Sequence, residues 1–150
     1  MPIEHEIKQA KPISTTHQRL MVSLMFTGSW TKDIANRYLK QFGISSEQYN
    51  VLRILRGSNP LLLTVNDVQS RMMDKSSNVG RIVEKLLEKG LVNREINPKN
   101  RRVTNLSITE NGLTFLAEID TDFHKIEDRM KSLSIEESNQ LIELLDKLRG

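Results

Sequence analysis

Residues 64–112 read TVNDVQSRMM DKSSNVGRIV EKLLEKGLVN REINPKNRRV TNLSITENG, and their order decides the fold. Thr64 is followed three places later by Asp67, the pairing that satisfies exposed amides at a helix start, so a helix is predicted to begin there. Val65, Val68 and Met72 fall on one face of it. Met73-Asp74-Lys75 then interrupts the apolar pattern, and Ser76 or Ser77 offers a new N-cap. Beyond it Val79, Ile82, Val83, Leu86 and Leu87 recur at helical spacing, leaving Asn78, Arg81, Lys85 and Glu88 on the other face. Gly90 is placed to end this helix in the left-handed cap conformation. Leu91 to Ile96 and Val103 to Ile108 read as strands, and Asn97-Pro98-Lys99-Asn100-Arg101-Arg102 between them reads as the turn of a β-hairpin.

Two short helices, a tight turn and a hairpin with a basic tip form the pattern of a winged helix-turn-helix that reads DNA. The free amides at the start of the second helix, residues 76–89, attract phosphate oxygens, and Ser, Asn and Arg side chains there can reach base edges in the major groove. Asn78 and Arg81 are the candidate base readers, with Lys75, Ser76 and Ser77 beside them. Gly80 costs roughly 1 kcal/mol of helix propensity relative to Ala, which close approach of backbone to a duplex would justify; a Gly tolerated at a surface position is the competing reading. Lys99, Arg101 and Arg102 have no acid within the tip. They are therefore candidates to neutralise phosphates or enter a minor groove from the wing, residues 97–102. An amphipathic surface helix followed by a solvated loop is the plainer alternative, and the combination of the two elements favours DNA.

On these residues the chain resembles the MarR family of bacterial transcription regulators. Lys75 to Arg94 resembles the family's recognition helix and first wing strand, Asn97 to Arg102 its wing, and Leu106 to Gly112 the segment leading into its next helix. One position departs: where the family usually carries Asp two residues before the wing arginine stands Asn100, which removes a carboxylate that would clamp and orient Arg102.

The flanks read as helices that a DNA-binding lobe (residues 45–112) does not require. A long stretch from Thr16 to Phe42 carries Leu20, Leu24, Ile34, Tyr38 and Leu39, with Gly28 and Ser29 as a possible bend. Ser46 to Arg56 carries Tyr49, Leu52, Ile54 and Leu55 behind a Ser45 or Ser46 cap and should brace the lobe. Leu113 to Leu133 and Ile135 to Leu148 show helical spacing, the latter starting at the capping box Ser134-Ile135-Glu136-Glu137. Leu141, Leu144, Leu145 and Leu148 form an apolar edge that is best explained by pairing with a second chain. The expected fold class is thus mainly α with a small β-hairpin wing, a winged helix-turn-helix with N- and C-terminal dimerisation helices. The resemblance implies that residues 16–42 and 113–148 form the dimer interface. A two-fold homodimer should meet a pseudo-palindromic operator with half-sites about 10 to 10.5 base pairs apart.

With 150 residues, 37% of them hydrophobic, one folded subunit is expected. There is no Cys, which excludes disulfides, thiolate metal sites and thiol redox switching. No signal peptide is visible and no apolar run approaches the roughly 18 residues that span a membrane, so a cytoplasmic protein is expected. The net charge of +3 is modest, but its distribution is uneven. Residues 64–105 hold nine Lys or Arg against five acids, and residues 106–150 hold five against ten, which places positive potential where phosphates would lie.

His5, His17 and His124 are too scattered for a metal site. The absence of a phosphate-binding Gly loop, a nucleophile motif and an HExxH sequence argues against an enzyme, and no cofactor is expected. The resemblance implies regulation by a small ligand. Met25, Trp30, Tyr38 and Tyr49 are candidates for an aromatic, polarizable lining, with core packing the stronger reading for all four. Two function classes remain: a ligand-responsive, sequence-specific regulator that represses or activates according to where its operator lies, and a winged-helix module that binds protein or DNA without sequence choice.

Overall fold

The computed structural model describes residues 2–150, in two compact units, one ending at Ser46 and the other Glu47–Gly150. The first unit holds a short helix α1 (Ile3–Glu6) and a long helix α2 (Thr16–Leu39). Thr15 caps α2, its hydroxyl accepting the Gln18 amide at 3.1 Å, and Arg19 pairs with Glu4 at 2.8 Å. The helix runs unbroken through Gly28 and Ser29, and gives way at Lys40–Phe42 to a 3-10 turn that Gly43 closes at φ 68°. It is therefore three residues shorter than its apolar pattern suggested. Leu20, Met21, Met25 and Trp30 along it are exposed.

In the second unit helix α3 (Ser46–Ser58) buries Val51, Leu52 and Leu55. Strand β1 (Leu63–Thr64) leads into α4 (Val65–Arg71), α5 (Val79–Glu88), β2 (Val92–Ile96) and β3 (Thr104–Ile108). The antiparallel sheet has the order β1-β3-β2, pairing Leu63 with Leu106 and Val92 with Ile108. Its apolar residues join Val68, Met72, Val79, Val83, Leu86, Leu116 and Ile119 among the buried positions, so α4, α5 and α6 each turn an apolar face to the core.

The capping box at Thr64 is complete: its hydroxyl accepts the Asp67 amide at 3.1 Å, and the Asp67 carboxylate accepts the Thr64 amide at 2.8 Å. At the end of α5, Gly90 takes φ 68° and the Leu91 amide bonds back to Leu86 at 3.0 Å, the left-handed stop that a Cβ would oppose. Thr109 then caps α6 (Glu110–Thr121), accepting the Gly112 amide at 3.0 Å. Here the backbone passes so close to Leu91 that a Cβ on Gly112 would collide with the Leu91 carbonyl and the Ile108 side chain.

Two expectations change. The second helix of the pair starts at Val79, not at residue 76, and its N-cap is Asn78 in place of Ser76 or Ser77. The reason is local: the Asp74 carboxylate already takes the Ser76 amide at 3.0 Å and the Ser76 hydroxyl at 2.5 Å, which holds those residues in a turn. The continuous helix expected from Leu113 to Leu133 is broken. After α6 come α7 (His124–Glu127), a 3-10 turn at Asp128–Met130 and then α8 (Ile135–Arg149). Thr121 turns its hydroxyl back onto the Ala117 carbonyl and Asp122 pairs with Lys125, side-chain bonds that compete with helix propagation. The Ser134–Glu137 capping box starts α8 as predicted. No residue of α8 is buried; Leu141, Ile142, Leu144 and Leu148 stand exposed.

Candidate nucleic-acid interface

The turn that joins α4 to α5 is tied at several points. The Met73 amide donates to Asn50 Oδ1 of α3 at 2.9 Å, the Gln69 amide group donates to the Lys75 carbonyl at 3.2 Å, and Lys75 Nζ donates to the Ser70 carbonyl at 2.6 Å. Asn78 Oδ1 accepts the Arg81 amide at 3.0 Å and fixes where α5 begins. The first two amides of the helix, on Val79 and Gly80, have no partner within it by helical geometry, so this end carries the positive pole of the helix dipole. Ser77 Oγ is enclosed and has no hydrogen-bond partner among the described residues. A Cβ at Gly80 would meet only Asn78 Oδ1, at 3.5 Å, so nothing inside the protein demands glycine there.

The sequence-derived site residues divide by what their side chains are doing. Arg81 is exposed and makes no ion pair among the described residues. Asn78 has spent its oxygen on the cap, and Lys75 its ammonium on a carbonyl, while Ser76 is held by Asp74. A bidentate contact from Asn to adenine would require both the oxygen and the nitrogen of the amide, so Arg81 is the exposed candidate on this turn whose side chain is unengaged among the described residues.

The hairpin is joined to α5 by an ion pair between Arg94 of β2 and Glu84. At its tip Asn97 Oδ1 accepts the Lys99 amide at 2.9 Å and Asn100 Oδ1 accepts the Arg102 amide at 3.1 Å. Backbone bonds from Asn97 to Val103 and from Val103 to Asn100, both 2.9 Å, close the loop. The tip is thus built by neutral side chains onto backbone amides, and Lys99, Arg101 and Arg102 extend exposed with no ion pair among the described residues.

Two clusters join residues on different elements, which the spacing within any one element does not report. One is the Glu84–Arg94 pair. The other joins α3 to α6: Asp120 accepts from Arg56 at 2.6 Å and from the Tyr49 hydroxyl at 3.3 Å, Arg53 donates to that hydroxyl at 2.9 Å, and the Tyr49 ring stacks on Phe123 at 5.9 Å. Burial pushes the Tyr49 phenol up, against the opposing pull of the Arg53 guanidinium. In the first unit Tyr38 packs on Phe42 with ring centroids 5.6 Å apart, while Met25 and Trp30 are exposed. A shallow cavity of about 600 Å³ between Pro2 and Pro12, lined in part by Glu4, His5 and Lys8, includes none of the four candidate pocket residues. Among the described residues no three His, Asp or Glu gather as a metal site, and no helix is long and apolar enough to cross a membrane.

A capped helix pair, a three-stranded antiparallel sheet and a hairpin with a cationic tip define a winged helix-turn-helix protein. The model of the MarR family matches residues 44–104. The uncharacterized HTH-type transcriptional regulator YkoM of Bacillus subtilis is 32% identical over 72% of this chain and 70% of its own length. The transcriptional repressor MprA of Escherichia coli is 24% identical over 98% of this chain and 86% of its own. Among solved structures, the complex of Staphylococcus aureus MepR with DNA superposes with a TM-score of 0.73 at 25% identity, covering 91% of this chain and 97% of MepR. The chain belongs to the MarR family of transcriptional regulators.

Proposed function

We propose that the protein is a sequence-specific repressor that binds a pseudo-palindromic operator as a homodimer, with α5 in the major groove and the wing on phosphate or in the minor groove. The observation that carries this reading is the contrast among its cations. Arg71, Lys75 and Arg94 are engaged within the fold, whereas Arg81 at the start of α5 and the three cations of the acid-free wing tip make no ion pair among the described residues. DNA binding is further supported by the relationship to MepR, solved on DNA, and repression by the relationship to MprA. Dimerisation is supported by α8, whose leucines find no core to bury in, and independently by the exposed apolar residues of α2. Relief by a small ligand is part of the proposal, with no residue assigned to it.

Footprinting on the DNA upstream of its own gene tests this geometry. Two protected half-sites with centres about 10 to 10.5 base pairs apart are expected. A single isolated half-site, or uniform protection along the duplex, would overturn it in favour of a module that binds DNA without sequence choice. Arg81→Ala should cost about 1–3 kcal/mol on the operator and relax base preference at the positions it reads.

A further inference from the structure

We infer that Asn100 is a positioning residue for the wing, shaping the tip while keeping all three of its cations available to phosphate. The inference rests on the DNA-binding reading above. A six-residue tip with three cations repels itself, and its turn can be formed by the side-chain oxygen of either Asp or Asn accepting backbone amides. Here both accepting side chains are neutral: Asn97 Oδ1 takes the Lys99 amide and Asn100 Oδ1 takes the Arg102 amide. The turn is therefore formed without cancelling charge. The neighbouring strand shows the contrasting arrangement, because Arg94 of β2 is neutralised by Glu84. An amide at position 100 thus separates two tasks that a carboxylate would merge, folding the tip and setting its charge.

The separation can be measured with two variants. Asn100→Asp keeps an oxygen able to accept the Arg102 amide, since Asp and Asn support the same turn, but lowers the charge of the tip by one. Asn100→Ala removes the acceptor and leaves the charge. For each full-length protein, binding to a shuffled duplex is titrated across salt concentrations, because the slope of log K against log salt counts phosphates neutralised whatever the sequence. Asn100→Asp is expected to make the slope shallower by about 0.9 per wing and to weaken binding roughly eightfold per wing at 0.1 M salt, with an unchanged thermal midpoint. Asn100→Ala is expected to hold the wild-type slope while binding more weakly. A wild-type slope for Asn100→Asp, or equal slope losses for both variants, would overturn the inference. The preference of the wild-type protein for its own upstream DNA over the shuffled duplex is a separate readout, so loss of the regulator reading would be seen independently of this result.

Discussion

Replacing Asn78 with Ala removes the side-chain oxygen that accepts the Arg81 amide at 3.0 Å, and α5 loses its N-cap. Loss of such a cap costs about 1 kcal/mol, which for a domain of this size lowers the thermal midpoint by roughly 2–4 °C. Asn78→Ser restores a capping oxygen but not the amide that could read a base, so it separates the two roles. The cap geometry consumes the Oδ1 needed for bidentate contact with adenine, and Asn78→Ser is therefore expected to recover both the melting midpoint and the wild-type ranking of operator sequences. Asn78→Ala should melt earlier and bind more weakly on every sequence, because fraying of the first turn loosens Arg81. Calorimetry gives the midpoints, and competition binding against single-base operator variants gives the ranking. Should Asn78→Ser melt like wild type yet lose about 1–3 kcal/mol of discrimination at one base pair, Asn78 reads that base and the reasoning from its occupied oxygen is refuted.

Paired Leu144→Glu and Leu148→Glu changes place carboxylates on exposed positions of α8, a helix with no buried residue; sedimentation equilibrium should show a monomer with a wild-type helical spectrum. A variant that stays dimeric would remove α8 from the interface. Gly112→Ala drives a Cβ into the Leu91 carbonyl and Ile108, an overpacking expected to cost about 1–3 kcal/mol in urea unfolding, and a neutral result would mean that the α6 start relaxes freely. The hydrogen bonds from Thr64 hold the Asp67 carboxyl below its ordinary value. Its pKa is lowered on folding, so the stabilisation it gives is complete above the unfolded carboxylate pKa and fades as pH falls through the folded one. Asp67→Asn should accordingly reduce the acid-side fall in thermal midpoint relative to wild type; parallel acid curves would show that the capping contact does not persist in solution.

Local signals carried most of the fold. Thr64 with Asp67, Ser134 with Glu137 and Gly90 each act through atoms within a few residues, so their geometry follows from spacing alone. Helix faces were legible for the same reason, since Val79, Val83 and Leu86 are buried where their period placed them. Spacing pointed to Ser76 or Ser77 as the cap of α5; Asn78 takes that place because Asp74 captures Ser76, and Asn50 of another helix tethers the adjoining turn. β1 has two residues and owes its strand character to β3, more than forty positions on. The break after Thr121 depends on side chains turning onto nearby backbone or one another, which apolar periodicity does not report. Within the candidate site, the residue types and their order were readable, but which cations are already occupied was not. Lys75 and Arg81 look alike in a sequence; only the fold sets one against the Ser70 carbonyl and leaves the other without an ion pair among the described residues.

The proposed function turns on sequence-specific recognition by α5 with electrostatic support from the wing. Its most direct test is binding of the purified protein to the DNA upstream of its own gene and to a shuffled duplex of the same composition, titrated at several salt concentrations. A preference for the native duplex on the order of 10³ or more is expected at physiological salt. Equal and steeply salt-dependent binding to both duplexes would contradict it, leaving phosphate contact as the whole of the interaction.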